Sequence, residues 1–180
     1  MTVGDIVVFK GEGFLFKVLS GILCLFDSEW RRREFKGWHV AFVSRFWDNH
    51  PIICEALAGG VTENFLETDR ELKVYQWFDY PVDPHDFVDS HMGKKYDVAV
   101  YFHTMIQYLL LKGVEWFQKK FIPWHEFTIS LPRILNDRYT CWENTFWFCR
   151  AMGKPIQESE GLSATRYPMI TNLLRALENE

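Results

Sequence analysis

The sequence lacks a long apolar run and has few cysteines. Its most apolar stretch, Gly13 to Phe26, contains Lys17 and is shorter than the roughly 20 residues that cross a bilayer. The four cysteines form no CxxC pair and are too sparse for a secreted disulfide scaffold. No basic segment followed by an apolar core and a cleavage site opens the chain. We therefore expect no transmembrane segment and a cytoplasmic protein with reduced thiols.

An excess of one charge sign is also missing. The formal charge of −4 comes from 20 basic and 24 acidic residues that are interspersed. The one basic run, Arg31 to Arg33, is followed at once by Glu34, so no basic stripe suggests a nucleic-acid partner. We interpret this run as surface, with a clamp for an anionic substrate as the alternative.

Metal and cofactor motifs are absent from the sequence. There is no HExxH pattern and no glycine-rich phosphate loop, so we predict neither a metal nor a cofactor. The histidines considered as ligands are His50, His85, His91, His103 and His125.

Aromatic and apolar residues are abundant. Phe, Tyr and Trp make up 17% of the chain, and such rings are too costly to leave in water for long stretches to be disordered. At 180 residues, with no internal repeat or linker, the chain is predicted to form one domain, 1–180. Nothing in the sequence indicates an oligomeric state.

The order of elements predicts the fold class. Apolar spacing from Leu15 to Phe26 indicates an amphipathic helix, and Gly59 with Gly60 marks the end of a strand. The predicted strands are Val3–Phe9, Trp38–Ser44, Pro51–Leu57 and Leu72–Phe78. Strands that precede helices indicate an α+β domain, with a mainly antiparallel sheet packed against helices.

The second half of the chain is predicted to be helical. Asp83 and Pro84 form an N-cap and first-turn pair, and Gly93 marks the stop of that helix. Further helices are predicted at Ala99 to Gly113, at Trp116 to Phe121, from Cys141 to Met152, and after Pro168.

His39 and Glu55 lie on two strands that are close in sequence. A hairpin with the three-residue tip Phe46, Trp47 and Asp48 sets His39 opposite Glu55, where Cβ atoms are about 4.5–5.5 Å apart. A slip of two residues leaves the pair diagonal, at roughly 7–8 Å. A solvent-exposed pair on the hairpin is an equally good interpretation of these two residues alone.

Cys141 is predicted to stand at the start of an apolar helix. A helix N-terminus carries partial positive charge and free N–H groups, which favour a thiolate and can stabilise an oxyanion. Together, the thiol at Cys141 and the pair His39 and Glu55 provide a nucleophile, a base and an orienting group.

Several short segments, taken in order, resemble a known family. They are Gly4-Asp5-Ile6-Val7, Gly37-Trp38-His39-Val40-Ala41, Glu55 after Ile52 and Ile53, Gly93-Lys94-Lys95-Tyr96-Asp97, and Tyr139-Thr140-Cys141-Trp142-Glu143. The ordered set resembles the YiiX-like permuted papain-fold enzymes, circularly permuted relatives of the NlpC-type cell-wall endopeptidases. In that family, the histidine strands precede the cysteine helix.

The resemblance implies a permuted papain-like fold and a cysteine peptidase or amidase (a thiol protease) that needs no cofactor. Cys141 would be the nucleophile, His39 the general base and Glu55 the third polar residue. The reaction implied is cleavage of an amide bond in a small peptide-like substrate, such as a cell-wall-derived peptide. Tyr139, Trp142 and Trp38 are the predicted substrate-binding residues, with a buried structural role as the equally good alternative for Tyr139. Trp142 departs from the small residue that often follows the family's cysteine, which would narrow the cleft or alter the substrate.

Two other functions stay open. Lecithin–retinol acyltransferase relatives share the permuted order, so a lipid thioesterase or acyltransferase is the first, with Phe14 to Phe26 touching acyl chains. Their Asn-Cys-Glu-His sequence is not found in this chain, which weighs against this alternative. The second is a catalytically silent binding module that keeps the pocket.

Overall fold

A five-stranded antiparallel sheet forms the centre of the fold. The computed structural model describes residues 1–26, 28–67, 69–96, 106, 110, 113–114, 116–121, 140–156, 174 and 176–178. The strands are β1 (Ile6–Lys10), β2 (Gly37–Trp47), β3 (His50–Leu57), β4 (Gly60–Phe65) and β5 (Leu72–Tyr75). Their order across the sheet is β4-β3-β2-β1-β5, and each neighbouring pair is antiparallel.

Helices pack against this sheet. They are α1 (Gly13–Phe26), α2 (Ser28–Arg32), α3 (His85–His91) and α4 (Cys141–Ala151). Residues 116–121 are also helical, as predicted. The combination of an antiparallel sheet with helices confirms the predicted α+β class. Within the part of the chain that the structure describes, no helix is long and apolar enough to cross a membrane.

Alternation along the strands gives the sheet two apolar faces. On one face, Val40 and Phe42 of β2 join a large cluster that includes α4, and the rings of Phe42 and Phe148 stack with centroids 3.7 Å apart. On the other face, Val7, Ala41 and other residues form a smaller cluster. Each fully buried side chain of this size contributes roughly 1.5–3 kcal/mol to the stability of the fold. The side chains of the larger cluster therefore stabilise the packing of α4 on the sheet.

Two elements were not predicted from the sequence. Strand β4 follows a two-residue turn at Ala58 and Gly59, which joins Leu57 to Gly60 across the ladder. The predicted end of the third strand before Gly59 is confirmed, but Gly60 begins another strand instead of a loop. Helix α2 was also missed, because its five residues give too little periodicity to detect.

The predicted start of α3 is wrong by one residue. Its N-cap is Pro84 and the helix begins at His85, while the Asp83 carboxylate lies outside the helix and accepts from the His85 backbone N–H at 3.0 Å. Strand β5 ends at Tyr75, before the predicted Phe78. Most of the predicted helices at Ala99 to Gly113 and after Pro168 lie outside the described residues.

Candidate active site

The β2–β3 hairpin carries two of the predicted site residues, and its tip differs from the prediction. The turn has two residues, Asp48 and Asn49, with φ of 48° and 64°, and Trp47 pairs with His50. Positive φ at both positions is typical of a type I′ turn, which suits the twist of a hairpin. Asp and Asn tolerate this conformation better than other non-glycine residues. Because the turn has two residues, the three-residue tip predicted from the sequence was wrong.

A β-bulge interrupts the hairpin at Ser44. Val43 pairs with Ile53 and Arg45 pairs with Ile52, so Ser44 has no opposite residue on β3. The Ser44 hydroxyl lies 3.1 Å from the Ile52 carbonyl oxygen and 2.6 Å from Oε1 of Glu63. These two contacts hold the extra residue in place.

The predicted register of this hairpin is wrong by two residues. Glu55 lies opposite Ala41 rather than opposite His39, which makes His39 and Glu55 diagonal neighbours. Their side chains nevertheless meet, with 2.6 Å between Nε2 of His39 and Oε2 of Glu55. A diagonal pair remains on one face of the sheet, and long side chains can bridge that spacing.

The Glu55 carboxylate is held at both oxygens. Oε2 contacts the His39 ring, and Oε1 accepts from the side-chain amide of Asn64 on β4 at 2.9 Å. The side chains of His39 and Glu55 are only 16% and 10% exposed. Burial favours the neutral acid, but the hydrogen bond and charge of His39, the Asn64 amide and the charge of Arg70 together lower the pKa of Glu55.

Cys141 is the first residue of α4, as predicted from the sequence. The N-cap is Thr140, whose hydroxyl accepts from the Glu143 backbone N–H at 3.3 Å. The Glu143 carboxylate in turn accepts from the Thr140 backbone N–H at 2.9 Å. This reciprocal pair is a capping box, and its Thr-x-x-Glu signature at 140–143 was readable in the sequence but was not used.

The pKa of His39 depends on Cys141 as well as on Glu55. Burial lowers the pKa of the His39 imidazole, but the charge of the Cys141 thiolate, a hydrogen bond to its sulfur, and the hydrogen bond and charge of Glu55 outweigh burial and raise the pKa to about 9. The imidazole thus interacts with a carboxylate and with a sulfur. Cys141 itself is 2% exposed, so the thiol is shielded.

The other cysteines lie in different environments. Burial raises the pKa of the Cys54 thiol to about 12 and also raises the pKa of Cys149. The side-chain amide of Asn144 lies 3.8 Å from the Cys54 sulfur. Cys24 is half-buried on α1. At neutral pH, Cys54 and Cys149 therefore remain protonated.

Two of the three predicted substrate-binding residues lie in the described part of the chain. Trp38 is half-buried, with its ring 5.0 Å from that of Phe16 and 6.5 Å from that of Trp30. Trp142 is 2% exposed and belongs to the larger core cluster. Tyr139 lies outside the described residues. The roles assigned to these three residues stay predictions.

Metal-ligating side chains do not cluster in the described ranges of the chain, where no group of three or more His, Cys, Asp or Glu residues could hold an ion. His85 lies 3.7 Å from the Asp89 carboxylate one turn later, and His91 contacts the Phe87 carbonyl. His103 and His125 lie outside the described residues.

No protein-family model matches the chain, and no curated protein matches its sequence. Membership of the YiiX-like family therefore stays a prediction carried by the ordered motifs.

Proposed function

We propose that this protein is a cysteine hydrolase of the permuted papain-like kind, which cleaves an amide bond in a peptide-like substrate through a thioester. Cys141 is the nucleophile, His39 the general base and Glu55 its orienting carboxylate. The observation that carries the proposal is the His39 ring, which lies 2.6 Å from the Glu55 carboxylate and whose pKa is raised by both Cys141 and Glu55. A nucleophile, a base and an orienting carboxylate form the minimal set for covalent acyl transfer.

The proposed reaction begins with transfer of the thiol proton from Cys141 to His39. The thiolate attacks the amide carbonyl carbon, and the carbonyl oxygen takes the negative charge. As the C–N bond breaks, His39 gives its proton to the leaving amine, which leaves a thioester on Cys141. Water then loses a proton to His39, attacks the thioester and releases the carboxylic acid and the thiol.

The start of α4 supports an oxyanion site. The first N–H groups of a helix have no intrahelical acceptor. The capping box engages the backbone N–H groups of Thr140 and Glu143, and the N–H of Asn144 donates to the Thr140 carbonyl. The N–H of Cys141, at the first helical position beside the attacking sulfur, is therefore the natural oxyanion donor.

The chain order supports the permuted arrangement. In this molecule the histidine strand β2 and the carboxylate strand β3 precede the cysteine helix α4. Helix α4 contacts both strands through its apolar face, so elements far apart in sequence meet at the site. This order agrees with the family that the motifs resemble.

A substrate-library screen tests the proposal. Short peptides and amides would be offered to the wild type and to Cys141→Ala, with Cys24→Ala as the matched control because it removes a half-buried thiol elsewhere. We expect turnover in the wild type and in the control, and a loss of roughly 10³-fold or more in Cys141→Ala. Turnover that survives in Cys141→Ala would refute the assigned nucleophile.

One observation favours a second candidate, a lipid thioesterase or acyltransferase at the same triad. Helix α1 exposes an apolar stripe in which Phe14 is 83%, Val18 42% and Leu25 63% accessible. Such a stripe suits contact with acyl chains or a lipid surface. Co-sedimentation with phosphatidylcholine vesicles, lost in Phe14→Ser, together with turnover of long-chain acyl esters, would favour this candidate over the amidase.

The catalytically silent binding module is distinguished by thiol chemistry. In that case Cys141 would react with iodoacetamide no faster than Cys24, and substitution of His39 would not change its rate. Preferential reaction of Cys141 would exclude this alternative.

A further inference from the structure

Arg70 stands beside the candidate triad without an ion-pair partner among the residues that the structure describes. Its guanidinium carbon lies 4.9 Å from the centroid of the Phe9 ring. The Phe9 ring in turn lies 5.6 Å from the ring of His39. Arg70 thus lies over the ring of Phe9, which is next to the proposed base His39.

The backbone explains this position. Leu72, the first residue of β5, pairs with Phe9 of β1, and Phe9 also pairs with His39 of β2. Arg70 precedes β5 by two residues, so the chain enters the sheet next to the end that carries His39. The half-buried Arg70 side chain then lies over Phe9.

Three other basic side chains have polar partners. Lys10 pairs with Glu71, and Arg33 pairs with Glu178. Arg31, from the run considered as a clamp for an anion, donates from Nε to the Cys24 carbonyl at 2.6 Å. Among these residues, Arg70 is the guanidinium near the triad that is still available to a ligand.

We propose that Arg70 is a specificity residue, which binds an anionic group, a carboxylate or a phosphate, on the substrate that Cys141 attacks. The proposal rests on the proposed function and adds the substrate class, an acyl compound that carries a negative charge close to the scissile bond. A guanidinium presents a planar set of donors that matches both kinds of anion. Its charge also acts on Glu55, which places it within electrostatic range of the triad.

Two alkylating reagents of nearly equal size test this proposal. Iodoacetate carries a carboxylate and iodoacetamide is neutral, and both modify a cysteine thiolate. The measured quantity is the ratio of their rates at Cys141, divided by the same ratio for free cysteine. We expect Arg70→Gln to lower this ratio roughly three- to tenfold, as loss of one nearby charge in a partly hydrated site predicts.

Matched variants identify the source of the effect. Arg70→Lys keeps the charge and should retain most of the wild-type ratio. Arg45→Gln makes the same charge change six residues beyond His39 on β2, or roughly 20 Å along the strand, and should leave the ratio unchanged. An Arg70→Gln ratio equal to that of the wild type, with Cys141 still reactive, would overturn the proposal and leave the triad intact. A Cys141 that fails to react in the wild type would instead refute the proposed function.

Protection by anions tests the same site without a substitution. Acetate and inorganic phosphate, each compared with chloride at equal ionic strength, should slow the reaction of wild-type Cys141 with iodoacetamide. Stronger protection by acetate would identify a carboxylate as the preferred group, and stronger protection by phosphate would identify a phosphate. Equal rates in all three salts would contradict the proposal.

Discussion

Glu55 lies opposite Ala41 in the β2–β3 ladder, and its carboxylate nevertheless reaches the ring of His39, two residues away, at 2.6 Å. The bulge at Ser44 makes this contact possible. Without the extra residue, the register of the turn would place Glu55 opposite Phe42, whose ring packs in the larger cluster on the other face. A shift of one residue moves a side chain across the sheet. Ser44 thereby sets the face on which Glu55 meets His39.

Selective alkylation of Cys141 is the first prediction. Cys54 and Cys149 are buried with raised pKa values and should react slowly at neutral pH. We expect iodoacetamide to label Cys141 first, measured by mass spectrometry of peptides. His39→Ala should slow this labelling roughly tenfold or more, because the thiolate loses its paired imidazolium.

His91→Ala is the matched control for that experiment. His91 is a half-buried histidine on α3 that contacts Phe87, and its loss should leave the labelling of Cys141 unchanged. Equal effects of the two histidine substitutions would indicate a general loss of structure rather than a specific pair.

Substitution of Glu55 should change the titration of His39. Glu55→Gln keeps an oxygen that can face the ring but removes the charge, so the pKa of His39 should fall from about 9 towards its ordinary value. NMR titration of the imidazole measures this change. Turnover should fall roughly tenfold to a hundredfold. Glu71→Gln, which removes a carboxylate paired with Lys10, is the control and should change neither quantity.

Stability should depend on pH through the same pair. His39 has a folded pKa of about 9 against 6.5 ordinarily, so its stabilising contribution is complete below about pH 6.5 and is lost as pH rises through 9. Glu55 has a lowered pKa, so its contribution is present above pH 4.5 and is lost as pH falls below it. Urea unfolding should give the largest free energy of unfolding between these limits.

His39→Ala should remove the alkaline decline in that profile. The acidic decline should shrink in Glu55→Gln, because the substituted side chain no longer titrates. A wild-type profile that is flat from pH 6.5 to 10 would contradict the raised pKa of His39.

The cap of α4 is expected to contribute to stability. Thr140→Ala removes the hydroxyl that accepts from the Glu143 N–H, and loss of an N-cap typically costs about 1 kcal/mol of the free energy of unfolding. Thr140→Ser keeps the hydroxyl and should retain most of that stability. Chemical denaturation of both variants measures the difference, and equal destabilisation would assign the loss to the buried methyl group instead.

The sequence was most informative where one local signal decides the structure. The start of α4 at Cys141 was predicted because an apolar helical pattern begins there and ends before Gly153. The contact between His39 and Glu55 was anticipated only as one of two registers. In both cases, short-range patterning carried the information.

The remaining features depend on contacts between distant residues. The Ser44 bulge is held by Glu63 on β4. Strand β4 was itself missed, because exposed residues such as Asn64 interrupt the apolar pattern that would indicate a strand. Asn64 as the second partner of Glu55 follows only from the pairing of β3 with β4. Such cross-strand partners leave no mark in the local sequence.

The single unpaired residue at Ser44 also limits how the gene can vary. Loss or gain of one residue within β2 or β3 between His39 and Glu55, with no compensating bulge or change in the turn, would move the side chains beyond it to the opposite face of the sheet, whereas a change of two residues would keep their faces. Related chains that keep the chemistry should therefore retain one unpaired residue in this hairpin or compensate for its loss in the turn.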